Sequence, residues 1–152
     1  MTIDKSEKKV IGITLALNGL FVFSLLYARG KYKSDVPECL PYDKAYTQPK
    51  VVQLDDHTYQ VYAVASMWRF EPAEIYIPVG SEVDFYLTSN DVVHGFNIAD
   101  KNVNMMAVQG AINKTTVKFD KPGVFDIVCH EYCGVGHQNM RAQVIVNYPT
   151  AK

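Results

Sequence analysis

Glu74-Ile75-Tyr76-Ile77-Pro78 and Glu82-Val83-Asp84-Phe85-Tyr86-Leu87, on either side of Val79-Gly80, indicate the fold class of this chain. In both runs apolar and polar residues alternate, and the apolar ones are mainly β-branched or aromatic. Such alternation puts every second side chain on one face of a strand, whereas an amphipathic helix repeats every 3.6 residues. The two runs therefore predict strands, each with one buried face, and a turn between them.

More runs of the same kind appear on both sides of this stretch. They cover residues 58–64, 94–98, 115–119, 124–129 and 142–147. Turn signals separate them, such as Ser89-Asn90-Asp91 and Lys121-Pro122-Gly123. Several short strands with no long amphipathic helix among them predict a mainly β protein folded as a sandwich.

The amino-terminal segment has a different character. Residues 10–28 carry no charge and consist mainly of Val, Ile, Leu, Ala and Phe. As a helix this stretch is about 28 Å long, close to the thickness of a bilayer core. Basic residues flank it on both sides, as expected at two membrane interfaces. A cleaved signal peptide would need a small-x-small site, which 26–30 lacks, and the remaining alternative is a buried helix of a soluble protein.

Composition divides the chain into three parts. We predict a transmembrane anchor in residues 1–30, a linker in 31–50, where Pro37, Pro41 and Pro49 fall, and the β domain in 51–152. Residues 1–34 have six basic and two acidic side chains, and the remainder has nine basic and fourteen acidic ones. An acidic globular part argues against nucleic acid as a partner and favours a basic protein.

The chemically informative stretch is Cys129-His130-Glu131-Tyr132-Cys133-Gly134-Val135-Gly136-His137-Gln138-Asn139-Met140, between two predicted strands. It offers two thiols, an imidazole and a thioether, and His94 from another strand can close the far side. Thiolate and thioether are soft ligands that favour copper, and imidazole binds copper, zinc and iron alike. The combination predicts a copper site.

With the main-chain carbonyl of Glu131, the candidate ligands are more than one tetrahedral ion can use. They suit two copper ions bridged by both thiolates, each with one histidine and one weak axial ligand. The set is His94, Cys129, Glu131, Cys133, His137 and Met140. Sharing one electron between two metals keeps bond-length changes small, so such a site predicts electron transfer and no catalytic acid or base.

Simpler sites stay open at this point. A single blue-copper ion needs His94, Cys133, His137 and Met140, and leaves Cys129 idle. A structural zinc ion bound by both cysteines and both histidines leaves Met140 idle. A disulfide between the two cysteines, or no metal, are the remaining alternatives.

Three other residues are predicted to lie outside the site. His130 should point away from the ligands, because neighbouring side chains in extended chain face opposite ways. His57 is expected in a solvated turn, and Cys39 as a free or part-buried thiol.

The motifs resemble those of subunit II of the haem-copper cytochrome c oxidases, whose cupredoxin domain carries the dinuclear copper centre called CuA. Family members show Cys-x-x-x-Cys-x-x-x-His-x-x-Met, met here by 129–140, and an upstream Asp-Val-x-His, met by 91–94. A single membrane helix looks more like the ba-type oxidases, in which sequences like Asp-Val-Val-His-Gly-Phe and Gly-x-Gly-His-Gln-Asn-Met are typical.

That resemblance implies a cupredoxin-like Greek-key sandwich and the function of the electron-accepting subunit of a terminal oxidase. The copper centre would accept electrons from cytochrome c and pass them to the haem of subunit I, where oxygen is reduced to water. It also implies a single-pass protein of the inner membrane with the copper domain in the periplasm. Within 66–72, Trp68 looks like the point where electrons arrive. The alternative function is a membrane-anchored mononuclear cupredoxin that acts as a free-standing electron carrier.

Overall fold

The structure is a computed structural model that describes residues 4–32, 38–40 and 46–148, with 38–40 described for the backbone alone. The chain divides into two compact units, Met1–Ser34 and Asp35–Lys152. The first contains one helix, and the second contains the sheets.

Helix α1 spans Lys5–Tyr32. Asp4 caps its amino terminus, because its carboxylate accepts hydrogen bonds from the backbone N–H groups of Ser6 (2.7 Å) and Glu7 (2.8 Å). The Glu7 carboxylate accepts in turn from the Asp4 N–H at 2.9 Å, which completes a capping box. Polar side chains within the apolar stretch bond to their own helix, as Asn18 does to the carbonyl of Thr14. By length and composition, α1 can cross a membrane.

Eleven strands are present in the described part of the second unit. They are β1 (Glu38–Leu40), β2 (Lys50–Gln53), β3 (Thr58–Ser66), β4 (Arg69–Glu71), β5 (Glu74–Pro78), β6 (Ser81–Ser89), β7 (His94–Ile98), β8 (Val103–Ala107), β9 (Ile112–Phe119), β10 (Gly123–Val128) and β11 (Arg141–Asn147). One sheet has the order β1-β9-β6-β3-β2, with β4 paired to β3, and the other has the order β5-β11-β10-β7-β8.

The turn at Val79-Gly80 carries the chain from one sheet to the other. Strand β5 pairs in parallel with β11, while β6 pairs in parallel with β3 and antiparallel with β9. Gly80 has φ of +88°, a conformation that glycine adopts without steric cost. Its N–H donates to Phe119 in one sheet, and the N–H of Val79 donates to Asn147 in the other. This crossed connectivity, with two facing sheets and one apolar amino-terminal helix, confirms the predicted fold class.

The core lies between the inner faces of the two sheets. Buried residues of β3, β6 and β9 face buried residues of β5, β7 and β11, and most of the buried side chains are apolar. Phe96 is fully buried and packs edge-on against Phe70 and at a tilt against Phe85, with ring centroids 5.5 and 5.6 Å apart. Phe96 follows His94 by two residues in β7, so it lies close to the end of the sandwich that carries His94.

All seven predicted strands are present, and the structure adds four that the sequence pattern did not predict: β1, β2, β4 and β8. Strands β1 and β4 have three residues each, too few to display alternation. Strand β8 has the sequence Val-Asn-Met-Met-Ala, which is poor in β-branched residues. Strand β1 and the start of β2 fall in the segment predicted as a linker, of which 33–37 and 41–45 lie outside the described residues, as does the side chain of Cys39.

Replacing Phe96 with alanine tests the aromatic part of the core. Because the ring is fully buried between two others, Phe96→Ala is expected to lower the free energy of unfolding by about 3–5 kcal/mol. Denaturant unfolding of the metal-free chain measures this. Val124→Ala is the matched control, since Val124 is 57% exposed, and a cost for Phe96→Ala no larger than that of the control would contradict this packing.

Candidate metal centre

The predicted ligand loop, residues 129–140, connects the adjacent ends of β10 and β11. The ladder between these strands ends at the pair Val128 and Arg141. One further hydrogen bond, from the N–H of Cys129 to the carbonyl of Met140 at 3.2 Å, closes the base of the loop. His94 is the first residue of β7, which lies beside β10 in the same sheet. The sheet therefore brings both parts of the predicted site to one end of the sandwich.

The loop folds so that its sulfur atoms converge. Cys129 Sγ and Cys133 Sγ are 3.8 Å apart, and both cysteines are buried free thiols. The Sδ of Met140 lies 3.7 Å and the Nδ1 of His137 lies 3.6 Å from Cys133 Sγ. A bonded disulfide would need an S–S distance of about 2.05 Å, so the disulfide alternative is wrong for this structure.

A glycine with a left-handed backbone conformation allows these side chains to converge. Gly134 has φ of +117°, and the carbonyl of Gly134 accepts a hydrogen bond from the N–H of His137. A short 3₁₀ turn, His137–Asn139, follows and leads directly into Met140. The chain thus reverses immediately after Cys133 and returns His137 and Met140 to it.

The other cysteine contacts the backbone of the loop: the carbonyl oxygen of Glu131 lies 3.3 Å from Cys129 Sγ, while the side chain of Glu131 is exposed. The metal-binding atoms of His94, Cys129 and Cys133 all lie within 4.8 Å of one another. All six residues predicted as ligands are therefore gathered around the two sulfur atoms.

His94 is held in one orientation by Asp91. The imidazole is fully buried, and its Nε2 lies 2.7 Å from Asp91 Oδ1. Asp91 also accepts hydrogen bonds from the N–H groups of Met67 and Val92, both at 2.7 Å. Burial of Asp91 opposes ionisation, but these hydrogen bonds outweigh it and lower the pKa of the carboxyl group below its usual value. An ionised Asp91 fixes the proton of His94 on Nε2.

The other ring nitrogen of His94 supplies the test of whether a metal fits. Among the described residues, Nδ1 of His94 is one of few buried side-chain N or O atoms without a hydrogen-bond partner. With the proton held on Nε2, Nδ1 keeps its lone pair, and a ring nitrogen of His94 lies within 4.8 Å of the sulfur atoms of both cysteines. An uncompensated buried nitrogen is costly unless something binds it. The residues present fit a soft metal ion, and two sulfur donors beside a thioether favour copper.

The thiol of Cys133 is protonated before metal arrives. Burial, together with Cys129 and the charge of Asp91, raises the pKa of the Cys133 thiol to about 11. A thiolate is the binding form, so a metal ion must displace this proton.

Trp68 lies directly on the ligand loop. Its indole N–H donates to the carbonyl oxygen of Cys133 at 3.2 Å, and its ring covers Gly134 and Gly136. A Cβ added at Gly136 would overlap the indole, and one added at Gly134 would lie 3.1 Å from the indole nitrogen. The side chain remains 42% exposed. Trp68 is therefore in contact both with solvent and with the backbone of Cys133.

Sequence reasoning missed the contacts that hold the ligands. The sequence indicated Asp91 only as part of a motif, and its link to both His94 and Met67 depends on the approach of two loops. His130 lies outside the sulfur cluster, as alternation predicts, but its contact with Gly95 was not predicted. His57 is exposed, as predicted.

Removing the charge of Asp91 tests its role in orienting His94. Asp91→Asn can leave the proton of His94 on the wrong nitrogen, so copper affinity is expected to fall by about 10–100-fold. Competition with a chelator of known affinity measures the fall. Asp126→Asn, an exposed carboxylate bonded to Gln143, is the control, and equal affinities for the two variants would exclude the role.

Comparison with known proteins places this geometry in a family. Residues 44–147 match the family described as cytochrome c oxidase subunit II, periplasmic domain. A cytochrome c oxidase subunit 2 of Thermus thermophilus is 33% identical over 92% of this chain and 90% of its own length. A second subunit 2 sequence from Thermus thermophilus is 38% identical over 63% of this chain and 71% of its own.

Solved structures agree. A chain of a heme-copper terminal oxidase dimer, determined by cryo-EM, is 39% identical with a TM-score of 0.81, over 94% of this chain and all of that one. The periplasmic domain of subunit II from Bradyrhizobium japonicum shares the fold at 23% identity, with a TM-score of 0.55, over 59% of this chain and 84% of its own. The chain belongs to the cytochrome c oxidase subunit II family and is part of an oxidoreductase complex.

Proposed function

We propose that this chain carries a dinuclear CuA centre and is the subunit through which electrons enter a terminal cytochrome c oxidase. The observation that carries the proposal is the pair of buried free thiols, 3.8 Å apart, with a ring nitrogen of His94 within 4.8 Å of both. The buried Nδ1 of this histidine has no hydrogen-bond partner among the described residues. Two thiols at this distance can bridge two ions.

The residues that would hold the copper ions are His94, Cys129, Glu131 through its carbonyl, Cys133, His137 and Met140. A mononuclear cupredoxin site would use one cysteine and leave the other thiol buried beside it without a role. A zinc site would leave Met140 unused, although this side chain is fully buried with its sulfur 3.7 Å from Cys133 Sγ. The number and softness of the donors support two copper ions over either alternative.

Copper held by His94, both cysteines, His137, Met140 and the carbonyl of Glu131 would supply one-electron transfer, from reduced cytochrome c towards the haem of subunit I, where oxygen would be reduced to water. The protein contributes rigidity. Asp91 fixes His94, the bond between Cys129 and Met140 closes the loop, and Trp68 packs on the two loop glycines. Ligands held in this way move little between redox states, which lowers the barrier to electron transfer.

Helix α1 would anchor the chain in the cell inner membrane, with the copper domain on the periplasmic side. Its length, its uninterrupted apolar sequence and the basic residues at both ends support a single membrane span. Subunit I, the haem-copper core, would be the partner within the membrane. We retain 1–30 as anchor, 31–50 as linker and 51–152 as copper domain.

Cytochrome c would dock at the end of the sandwich that carries the ligand loop. The residues beside the ligands include exposed apolar side chains: Met67, Trp68, Val92, Val93, Tyr132 and Val135. The acidic remainder of the domain would attract a basic cytochrome over a longer range, which raises the association rate more than the affinity. Trp68, half-exposed and bonded to Cys133, would receive the electron.

Counting copper tests the proposal. The full-length chain in detergent is expected to bind two copper ions and to give a seven-line paramagnetic spectrum from one electron shared by two nuclei. Cys129→Ser removes a bridge, so the variant should lose this spectrum and at least one copper ion. Cys39→Ser, outside the ligand loop, is the control, and a Cys129→Ser variant with full copper content and an unchanged spectrum would refute the bridged pair.

Replacing Trp68 tests where electrons arrive. Trp68→Leu removes the ring and the bond to Cys133, so reduction of the copper by cytochrome c is expected to slow at least about tenfold, an increase of about 1.4 kcal/mol in the barrier. Rapid mixing of the assembled oxidase with reduced cytochrome c measures this rate. Electron transfer onward to haem should be unchanged, and Tyr148→Leu, an aromatic 71% exposed after β11, is the control. Equal rates for both variants would show that Trp68 is not on the route.

A further inference from the structure

His130 covers a glycine on the strand that carries His94. A Cβ atom placed on Gly95 would lie 2.5 Å from Nδ1 and 2.7 Å from both Cγ and Cε1 of the His130 ring. The ring therefore packs directly on the Cα of Gly95, in space that any other residue would fill. Gly95, in β7, is buried, while His130 as a whole is exposed. A glycine inside a strand commonly marks such a close approach.

The contact lies just beyond the end of β10, in line with the pairing between β10 and β7. Strands β10 and β7 are antiparallel, and Val128 pairs with Asn97. Continuing that register by two residues puts His130 opposite Gly95, beyond the last residue of β10. An aromatic side chain folded over a glycine on the neighbouring strand stabilises such a pair, because it covers backbone that would otherwise be exposed.

The contact joins the two parts of the metal site. His130 follows Cys129 directly in the chain, and Gly95 follows His94. Cys129 and His94 come from different parts of the sheet, and their metal-binding atoms lie within 4.8 Å of each other. Each ligand is thus one peptide bond away from a residue of the His130–Gly95 contact. Movement of β7 away from the loop would have to break this contact.

We propose that His130 is a positioning residue for the metal centre, which through Gly95 fixes the distance between His94 and the cysteine pair. This role rests on the proposed function, because it concerns the same ligands. We assign this role to the flat ring, because its atoms lie against Gly95. Within the described residues, the ring nitrogens of His130 have no hydrogen-bond partner, so hydrogen bonding does not contribute to the role.

Two substitutions at His130, studied in the full-length chain in detergent, distinguish the effect of the flat ring from that of its nitrogen atoms. The first measurement is amide hydrogen exchange at residues 94–96 in the metal-free chain. His130→Ala removes the cover, so exchange should become faster there, by about tenfold, which is equivalent to about 1.4 kcal/mol of local opening. His130→Phe keeps a flat ring and should exchange like the original chain. Gln138→Ala, in the same loop, is the control.

The second measurement is the rate at which the copper-loaded chain loses copper to a chelator, with the paramagnetic spectrum recorded alongside. His130→Ala should release copper faster, by about tenfold, as other residues that orient ligands do when replaced, and should change the hyperfine splitting. His130→Phe should do neither. A merely stabilising residue would alter the unfolding midpoint and leave the splitting unchanged.

A compensating pair tests the contact itself. Gly95→Ala puts a methyl group where the ring lies, so it should accelerate copper release. Combined with His130→Ala, the same methyl group occupies vacated space, and release should slow again towards the original rate. The proposal is overturned if His130→Ala matches the Gln138→Ala control, if His130→Phe behaves like His130→Ala, or if the double variant is no better than Gly95→Ala. Because the exchange measurement needs no metal, it still tests the contact in a chain that fails to bind two copper ions.

Discussion

Two thiols buried 3.8 Å apart are the constraint on which the rest of this end of the molecule depends. Burial raises the pKa of Cys133, and in the same site the buried Nδ1 of His94 has no hydrogen-bond partner among the described residues, which makes the metal-free arrangement costly. Such an arrangement persists only where the surrounding backbone leaves the side chains no alternative. Here the closed base of the loop and the left-handed Gly134 supply that restriction.

Asp91 connects this buried cluster to the surface. One carboxylate accepts from His94 and from the backbone of Met67, and Met67 precedes the tryptophan that covers the ligand loop. The orientation of a ligand and the position of the exposed indole are therefore determined by the same group. The pKa of Asp91 is lowered despite burial because several donors converge on it, so this connection persists across the neutral range.

Sequence pattern predicted most of the sandwich because its central strands alternate cleanly. Strands β3, β5 and β6 each bury every second residue for most of their length, and that regularity is visible in the chain itself. The strands that escaped prediction are short, as β4 is, or composed of residues with weak strand preference, as β8 is. Their existence depends on neighbours: β4 pairs with β3, and β8 with β7.

Local sequence was enough to predict the apolar span of α1, the alternation of the strands, and a loop whose ligand types and spacing favour copper. Periodicity and spacing are local properties, since they restrict only residues close together in the chain. The folded chain alone shows which nitrogen of His94 is left for a metal, which backbone group Trp68 contacts, and that His130 packs on Gly95. The contacts of Trp68 and His130 join segments far apart in sequence, and their geometry depends on sheet register, which no short stretch of sequence specifies.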